Sequence, residues 1–285
     1  MSARDLIFAA AGNSLADGVT WTYSYGLSSA LPLSGGKHIY ASTWNGSVFV
    51  VVGVYGRVAT SPDGMNWTYQ AGLADSGWAA EFAYAYAITW NGSVFVVVGS
   101  SGKVATSPDG VNWTNQAGLV NSGWGTGSVN AITWNGSVFV VVGDSGKCAT
   151  SPDGVTWTYQ AGLASTTWGT AAARAITWNG SVFVVAGDSG KVATSSDGAT
   201  WTYQAGLTNS SWGTTLARAI AWNGSIFVVV GSFGRVATSP DGVAWTYQAG
   251  LVNSAWGSSG DVYTIVWNGS IFVVSGQAGR AAINA

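Results

Sequence analysis

Three features of the chain predict an all-β protein, a six-bladed β-propeller of four-stranded antiparallel blades. The first is a repeat. The stretch WNGSVFVVVGSSGKVATSPDGVNWTNQAGL, residues 90–119, recurs with near identity, and its leading Trp falls at Trp44, Trp90, Trp134, Trp178, Trp222 and Trp267. The spacing is 46, 44, 44, 44 and 45 residues. The second is another marker, DGxxW, which keeps the same beat at Trp21, Trp67, Trp113, Trp157, Trp201 and Trp245. The third is the content of each period, four short runs of strand-forming residues separated by turn residues. A fixed period of this size points to a propeller or solenoid, because one unit cannot bury its own faces and a stacked ring can.

The first strand of a repeat, AITW in most copies, stops at Asn-Gly, a hairpin signal in which both turn residues are expected at positive φ. The second, SVFVVVG, is apolar at consecutive positions, so both its faces are expected to be buried between neighbouring blades. A Gly-bounded turn (GVYG, GSSG, GDSG, GSFG) leads to a third strand opening KVAT or RVAT. SPDG then reads as a turn: Pro presets φ, Asp accepts from backbone N–H groups ahead of it, and Gly takes the awkward dihedral. The fourth strand is NWTYQAG or its variants.

The last copy stops after RAAINA, a third strand, while the sequence before LADGVTW has room for only one extra strand. The terminal blade is therefore expected to be closed by N- and C-terminal strands, Trp21 to Tyr25 supplying the outer strand of the blade whose inner strands are Ile265 to Ala282. Residues 7–13 align better with a second strand than with a third, which leaves their place in that blade open. A closed ring has no boundary to cut, so residues 1–285 read as a single domain.

Composition narrows the function classes. With 8% charged residues and a net charge of −2, the chain has no electrostatic footprint for nucleic acid. Mean hydropathy is +0.25, yet no apolar run approaches the roughly 20 residues of a spanning helix, and membrane insertion is not expected. LIFAAAG near the start is too short and too acid-flanked for a secretory signal and matches the repeat pattern. Cys148 stands where other copies carry Val, a core position rather than a nucleophile's.

SPDGVNW resembles the Asp-box, the bacterial neuraminidase repeat carried by sialidases and by many non-enzymatic propellers. Ser61, Asp63, Gly64 and Trp67 correspond to the motif residues, as do Ser107, Asp109, Gly110 and Trp113 in the next copy. Asp and Gly are adjacent here, where the family pattern places one residue between them. The resemblance implies a structural turn between third and fourth strands. The Gly-, Val- and Trp-rich style also resembles phage and bacterial surface proteins, which implies an extracellular or virion-associated setting.

Hydrolysis is not expected. Sialidase chemistry needs three converging arginines, a Tyr with a carboxylate partner and an acidic proton donor. Glu81 is the only Glu, and six of the eleven Asp residues belong to DG turns. Arg174 and Arg218 occupy equivalent slots without a third Arg, and His38 is the only His. Glu81 and Asp75 are the one carboxylate pair close in sequence outside those turns. GSSGKV lacks the spacing of a phosphate loop and precedes a strand. NGS at Asn45, Asn91, Asn135, Asn179, Asn223 and Asn268 fits a glycosylation sequon, but the hairpin already explains Asn-Gly. No cofactor or metal site is expected.

Variation gathers on one face. Adjacent turns in a meander lie at opposite ends of the blade, so WNGS and SPDG share one face and the second-to-third turns share the other with the linkers. Each linker after the first outer strand carries a further Trp: Trp78, Trp124, Trp168, Trp212 and Trp256. Four residues before each WNGS Trp stand Tyr40, Tyr86, Asn130, Arg174, Arg218 and Tyr263, expected to rim the central channel. Arg57, Lys103, Lys147, Lys191, Arg235 and Arg280 put one cation per blade at the start of the third strand. Trp beside hydroxyl, amide and cationic groups suits a sugar ring, and repetition multiplies weak sites. The leading expectation is a non-enzymatic, multivalent carbohydrate-binding propeller with sites at the blade junctions, its partners being glycans or a glycosylated surface. The alternatives are that each Trp plugs its junction as core, and that the disc is a structural or adhesion module docking virion or envelope proteins.

Overall fold

In each blade the second strand, two-faced and apolar, sets the architecture. The structure, a computed structural model, describes residues 38–79, 83–254, 256–257, 260–277 and 280–284, with Leu27, Ala30 and Leu31. Blade one is the meander Ile39–Trp44, Phe49–Gly53, Val58–Ser61 and Thr68–Gln70. The same order of four antiparallel strands recurs in blades two to five, and blade six has Val262–Trp267, Phe272–Gly276 and Ala281–Asn284. From blade one through blade six, the inner strand of each blade lies beside that of the next. The expected outer strand of blade six, Trp21 to Tyr25, lies outside the described residues, as do residues 7–13.

Burial follows the two-faced reading: Phe49, Val50, Val51 and Val52 are all buried, as are their counterparts in blades two to four. The core is a set of junction clusters rather than one centre. Between blades one and two, Val50, Val52 and Val58 meet Leu73, Trp78, Ala85, Phe95, Val97 and Trp113. Equivalent residues fill the next junctions. Cys148 belongs to one of them; burial pushes its thiol pKa up to about 12, which keeps it an inert apolar filler.

The opening linker, which lacks Trp, uses a different filling. Leu31, buried against Ile39, Val51, Ala59 and Leu27, covers a face of blade one, and Ile39 is larger than the Ala85, Val129, Ala173, Ala217 and Val262 found at its position elsewhere. A smaller linker residue is thus offset by a larger strand residue, as close packing requires.

The Asn-Gly hairpin differs from expectation. Gly46 is at φ +98°, but Asn45 is not at positive φ. Its side-chain oxygen instead accepts the amides of Ser47 and Val48 at 2.9 and 2.8 Å, closing a four-residue loop between Trp44 and Phe49. The amide side chain, rather than a left-handed backbone, is what the turn uses.

SPDG behaves as its chemistry dictates. Asp63 accepts the Met65 and Asn66 amides at 2.8 Å each, Ser61 Oγ accepts the Gly64 amide at 2.8 Å, and Trp67 Nε1 donates to the Gly64 carbonyl at 2.9 Å. Ser196 replaces Pro in the fourth blade, yet Asp197 and Ser195 make the same bonds. The glycine is required twice: Gly110 sits at φ +77°, and a Cβ there would come 2.7 Å from Val50 of the preceding blade.

Candidate functional site

Each inner strand carries one β-bulge near its linker-face end. In blade one Ile39 pairs with Gly53 and Ala41 with Val52, so Tyr40 is the extra residue. Tyr86, Asn130, Arg174, Arg218 and Tyr263 are the extra residues of the other five blades. A bulge leaves one residue out of the ladder and re-aims its side chain. That frees this position to vary while its neighbours remain core. Two pairs of bulge residues on adjacent blades touch, Tyr40 and Tyr86 at 5.3 Å between ring centroids and Arg218 over Tyr263 at 5.3 Å.

The bulge ring divides into halves. Blades three, four and five contribute Asn130, Arg174 and Arg218, each held by hydrogen bonds within the protein. Asn130 Nδ2 donates to Asp144 at 3.1 Å and to the Ala173 carbonyl at 3.0 Å. Arg174 makes a two-pronged contact with Asp188 at 2.7 and 3.0 Å. Arg218 donates to Ser232 at 3.2 Å and to Asp261 at 2.7 Å. Blades six, one and two contribute Tyr263, Tyr40 and Tyr86. Tyr84 adds a ring 6.1 Å from Tyr40, 5.9 Å from Tyr86 and 6.2 Å from Tyr55, and His38 lies 6.5 Å from Tyr40. These aromatic side chains are half-buried.

Outside the ring stand the tips of the second-to-third turns, which demand a left-handed backbone. Ser101, Ser145 and Ser189 fill it in blades two to four, but Tyr55 (φ 56°) and Phe233 (φ 63°) fill it in blades one and five. An L-residue pays about 1–2 kcal/mol for that conformation, and Phe233 is 54% exposed. An exposed aromatic at a strained position is an observation that points toward use.

The linker tryptophans are core. Trp78, Trp124, Trp168 and Trp212 are fully buried and Trp256 is 5% exposed. Each indole N–H is satisfied within the protein, by Asn115 for Trp78 and by the carbonyls of Gly127, Ala171, Thr215 and Gly260 for the others. An indole without accessible surface offers no face to a sugar ring, so the expected stacking platforms are plugs. The cations are not a free rim either. Lys103 reaches the Gly77 carbonyl, Lys147 and Lys191 the carbonyls of Trp124 and Trp168, Arg235 that of Ser211 and Arg280 that of Trp256. They tie each linker down from the next blade, and Lys103 also lies 5.6 Å over the Trp78 ring. Arg57 immediately precedes the third strand of blade one, Val58–Ser61.

Sequence reasoning missed Tyr84, Tyr55 and Phe233, and the buried Leu73, Leu119, Leu163 and Leu207 that precede each linker Trp. The leucines had a signal, a constant Leu five residues before Trp. Tyr55 and Phe233 had one as well, each a bulky exception at a slot otherwise filled by Ser or Ala. Glu81 lies outside the described residues; Asp75 is an exposed linker residue. Among the described residues no group of three or more His, Cys, Asp or Glu could hold a metal, and no helix is long and apolar enough to cross a membrane.

No curated protein matches the sequence. A family described as the DUF6242 beta propeller domain matches residues 151–284. Among solved structures, YCF48 bound to D1 peptide is similar with a TM-score of 0.64 at 15% identity, over 87% of this chain and 77% of that one. YCF48 from Cyanidioschyzon merolae follows at 0.62 and 17%, over 86% and 81%. The computationally designed Ika8 protein gives 0.59 and 11%, over 86% and 70%. At these identities the likeness is one of fold, and the chain is a six-bladed β-propeller similar to these proteins in architecture.

Proposed function

We propose that this propeller is a non-enzymatic docking module that takes a peptide segment of a partner protein on the tyrosine half of its bulge ring. The observation that carries the reading is the cluster of Tyr40, Tyr84 and Tyr86 at the bulges of blades one and two, with Tyr55 beside Tyr84; Tyr263 holds the bulge of blade six and the exposed Phe233 the turn tip of blade five. Tyrosine supplies a large, stiff contact surface with a polar tip, and aromatic residues dominate the energetic centres of protein interfaces. A similar propeller, YCF48, has been solved with a peptide, which supports peptide docking as a use of this architecture. A sugar-binding role at the junctions has lost its stacking faces, the indoles being buried. The Asp-box likeness of the SPDG turns remains a matter of turn chemistry, Ser, Asp, Gly and Trp playing the parts that motif assigns them.

The test is a peptide selected from a random displayed library on the full chain. Replacing Phe233 by Ser, the residue blades two to four use at that tip, is expected to weaken binding, while Asn112→Ala on the opposite face leaves it unchanged. Peptides insensitive to Phe233 but sensitive to Asn112, or selections that yield none while a glycan array gives saturable binding, would overturn the reading.

A further inference from the structure

The second-to-third turn of blade one departs from its five counterparts at its first residue and in what its cation does. In the other blades the first residue is polar and bound within the protein. Ser100 Oγ accepts the Tyr84 amide, Asp144 and Asp188 hold Asn130 and Arg174, Ser232 accepts from Arg218, and Gln277 accepts the Asp261 amide. Blade one has Val54 there, 3% exposed. The cations of the other blades, Lys103, Lys147, Lys191, Arg235 and Arg280, each donate to the carbonyl of the linker Trp that leads into their own blade or of the residue before it. The opening linker has no Trp, and among the described residues Arg57 makes no hydrogen bond or ion pair. It is half-buried all the same.

We propose that Arg57 reads a carboxylate on the docked segment, so that the partner of the tyrosine half is an acidic peptide; the inference rests on the docking reading of that half. The turn that carries Arg57 is seated against the tyrosine cluster. Val54 bridges to Tyr84, the Gly56 amide donates to the Ala83 carbonyl at 3.2 Å, and the Tyr55 ring lies 6.2 Å from that of Tyr84. Tyr55 and Arg57, on either side of Gly56, therefore put an aromatic face and a cation at one edge of the cluster. A guanidinium presents five N–H donors in a planar fork that matches a carboxylate, and the side chain of Val54 gives it no acceptor nearer home. The distribution of charge around the face agrees. Asp144 and Asp188 stand in the turns of blades three and four, whereas the corresponding turns of blades six, one and two carry no carboxylate. An acidic segment is thereby repelled from the polar half and steered to the tyrosine half.

Peptides selected from a displayed library on the full chain supply the test. Each is resynthesised with every Asp or Glu changed in turn to its amide, and separately with its C-terminus free or amidated, and calorimetry follows each version on the parent chain and on Arg57→Gln. The expected result is one carboxylate whose loss weakens binding to the parent about tenfold or more, as for a charge-assisted hydrogen bond, and makes no further difference once Arg57 is Gln. The two peptide series tell a side-chain carboxylate from a chain end. Arg57→Lys, which keeps the charge without the fork, should fall between parent and Arg57→Gln. Arg57→Gln should also melt with the parent; a lowered Tm would show the guanidinium tied within the protein and overturn the inference. Peptides that lose affinity for Tyr40→Asn with Tyr86→Asn but have no carboxylate coupled to Arg57 overturn it and leave the docking reading standing, as does a carboxylate coupled to Lys103 or Arg280 instead. A selection that yields no peptide, or peptides indifferent to Tyr40, Tyr86 and Arg57 alike, overturns both.

Discussion

The tyrosine half and the polar half of the bulge ring stand on the same scaffold and differ in what they do with their side chains. On blades three to five, the first residue of the second-to-third turn answers the bulge residue fourteen positions earlier: Asp144 holds Asn130, Asp188 holds Arg174 and Ser232 holds Arg218. On blades one, two and six those turn positions are Val54, Ser100 and Gln277, and the bulge carries Tyr. The polar half is closed by hydrogen bonds within the protein. In the tyrosine half, Tyr40, Tyr84 and Tyr86 form a cluster of rings.

If the halves share one scaffold, their junction plugs must be equally important. Trp78→Ala and Trp168→Ala should each cost about 3–5 kcal/mol in denaturant melts, the range for large buried aromatics, and a marked inequality would break the comparison. Acid should then weaken all blades together. In Asp63 the Asn66 amide, the Asn66 side chain and the Met65 amide hold the carboxyl well below its ordinary range. In Asp109 burial opposes ionisation but is outweighed by the Asn112 amide and side chain, the Val111 amide and Ser107, leaving a pKa of about 2. Asp153, Asp197 and Asp241 are lowered by equivalent donors against the same burial. Because these folded-state values lie below the unfolded value near 4, their stabilisation is fully present above about pH 4 and is lost as pH falls toward 2. Tm should fall over that window, and Asp109→Asn should flatten part of the fall.

Smaller effects sharpen the contrast. Phe233→Gly should raise stability by about 1 kcal/mol by relieving the left-handed strain, while weakening peptide binding. A variant both less stable and unaltered in binding would remove Phe233 from the interface. Arg174→Ala should cost only about 0.2–1 kcal/mol, as for exposed ion pairs, with no effect on the peptide, because the polar half is read as closed.

Much of the fold was legible because it is written six times. Period, strand count, the two-faced second strand and the SPDG turn all follow from local chemistry that each copy restates. Sequence left open whether the linker Trp residues are platforms or junction plugs, since Trp between Gly, Ser and Asn fits either, and the packing of Leu73, Ala85 and Trp113 with Trp78 favours the plug. The bulge was hidden for a related reason: Tyr40 and Arg174 have identical backbone roles and no residue type in common. The Asn-Gly turn misled because Asn45 acts through its side chain, an alternative the dipeptide does not distinguish.

The most direct test of the docking account exchanges residues between the halves. Tyr40→Asn with Tyr86→Asn installs the bulge residue of blade three in blades one and two, and Asn130→Tyr does the reverse; calorimetric titration of a selected peptide follows each. The account predicts that the first variant loses affinity by about 10-fold or more, a hot-spot-sized effect, with its melting retained, whereas the second binds as the parent does. Undiminished binding by the first variant, or loss confined to the second, would contradict it.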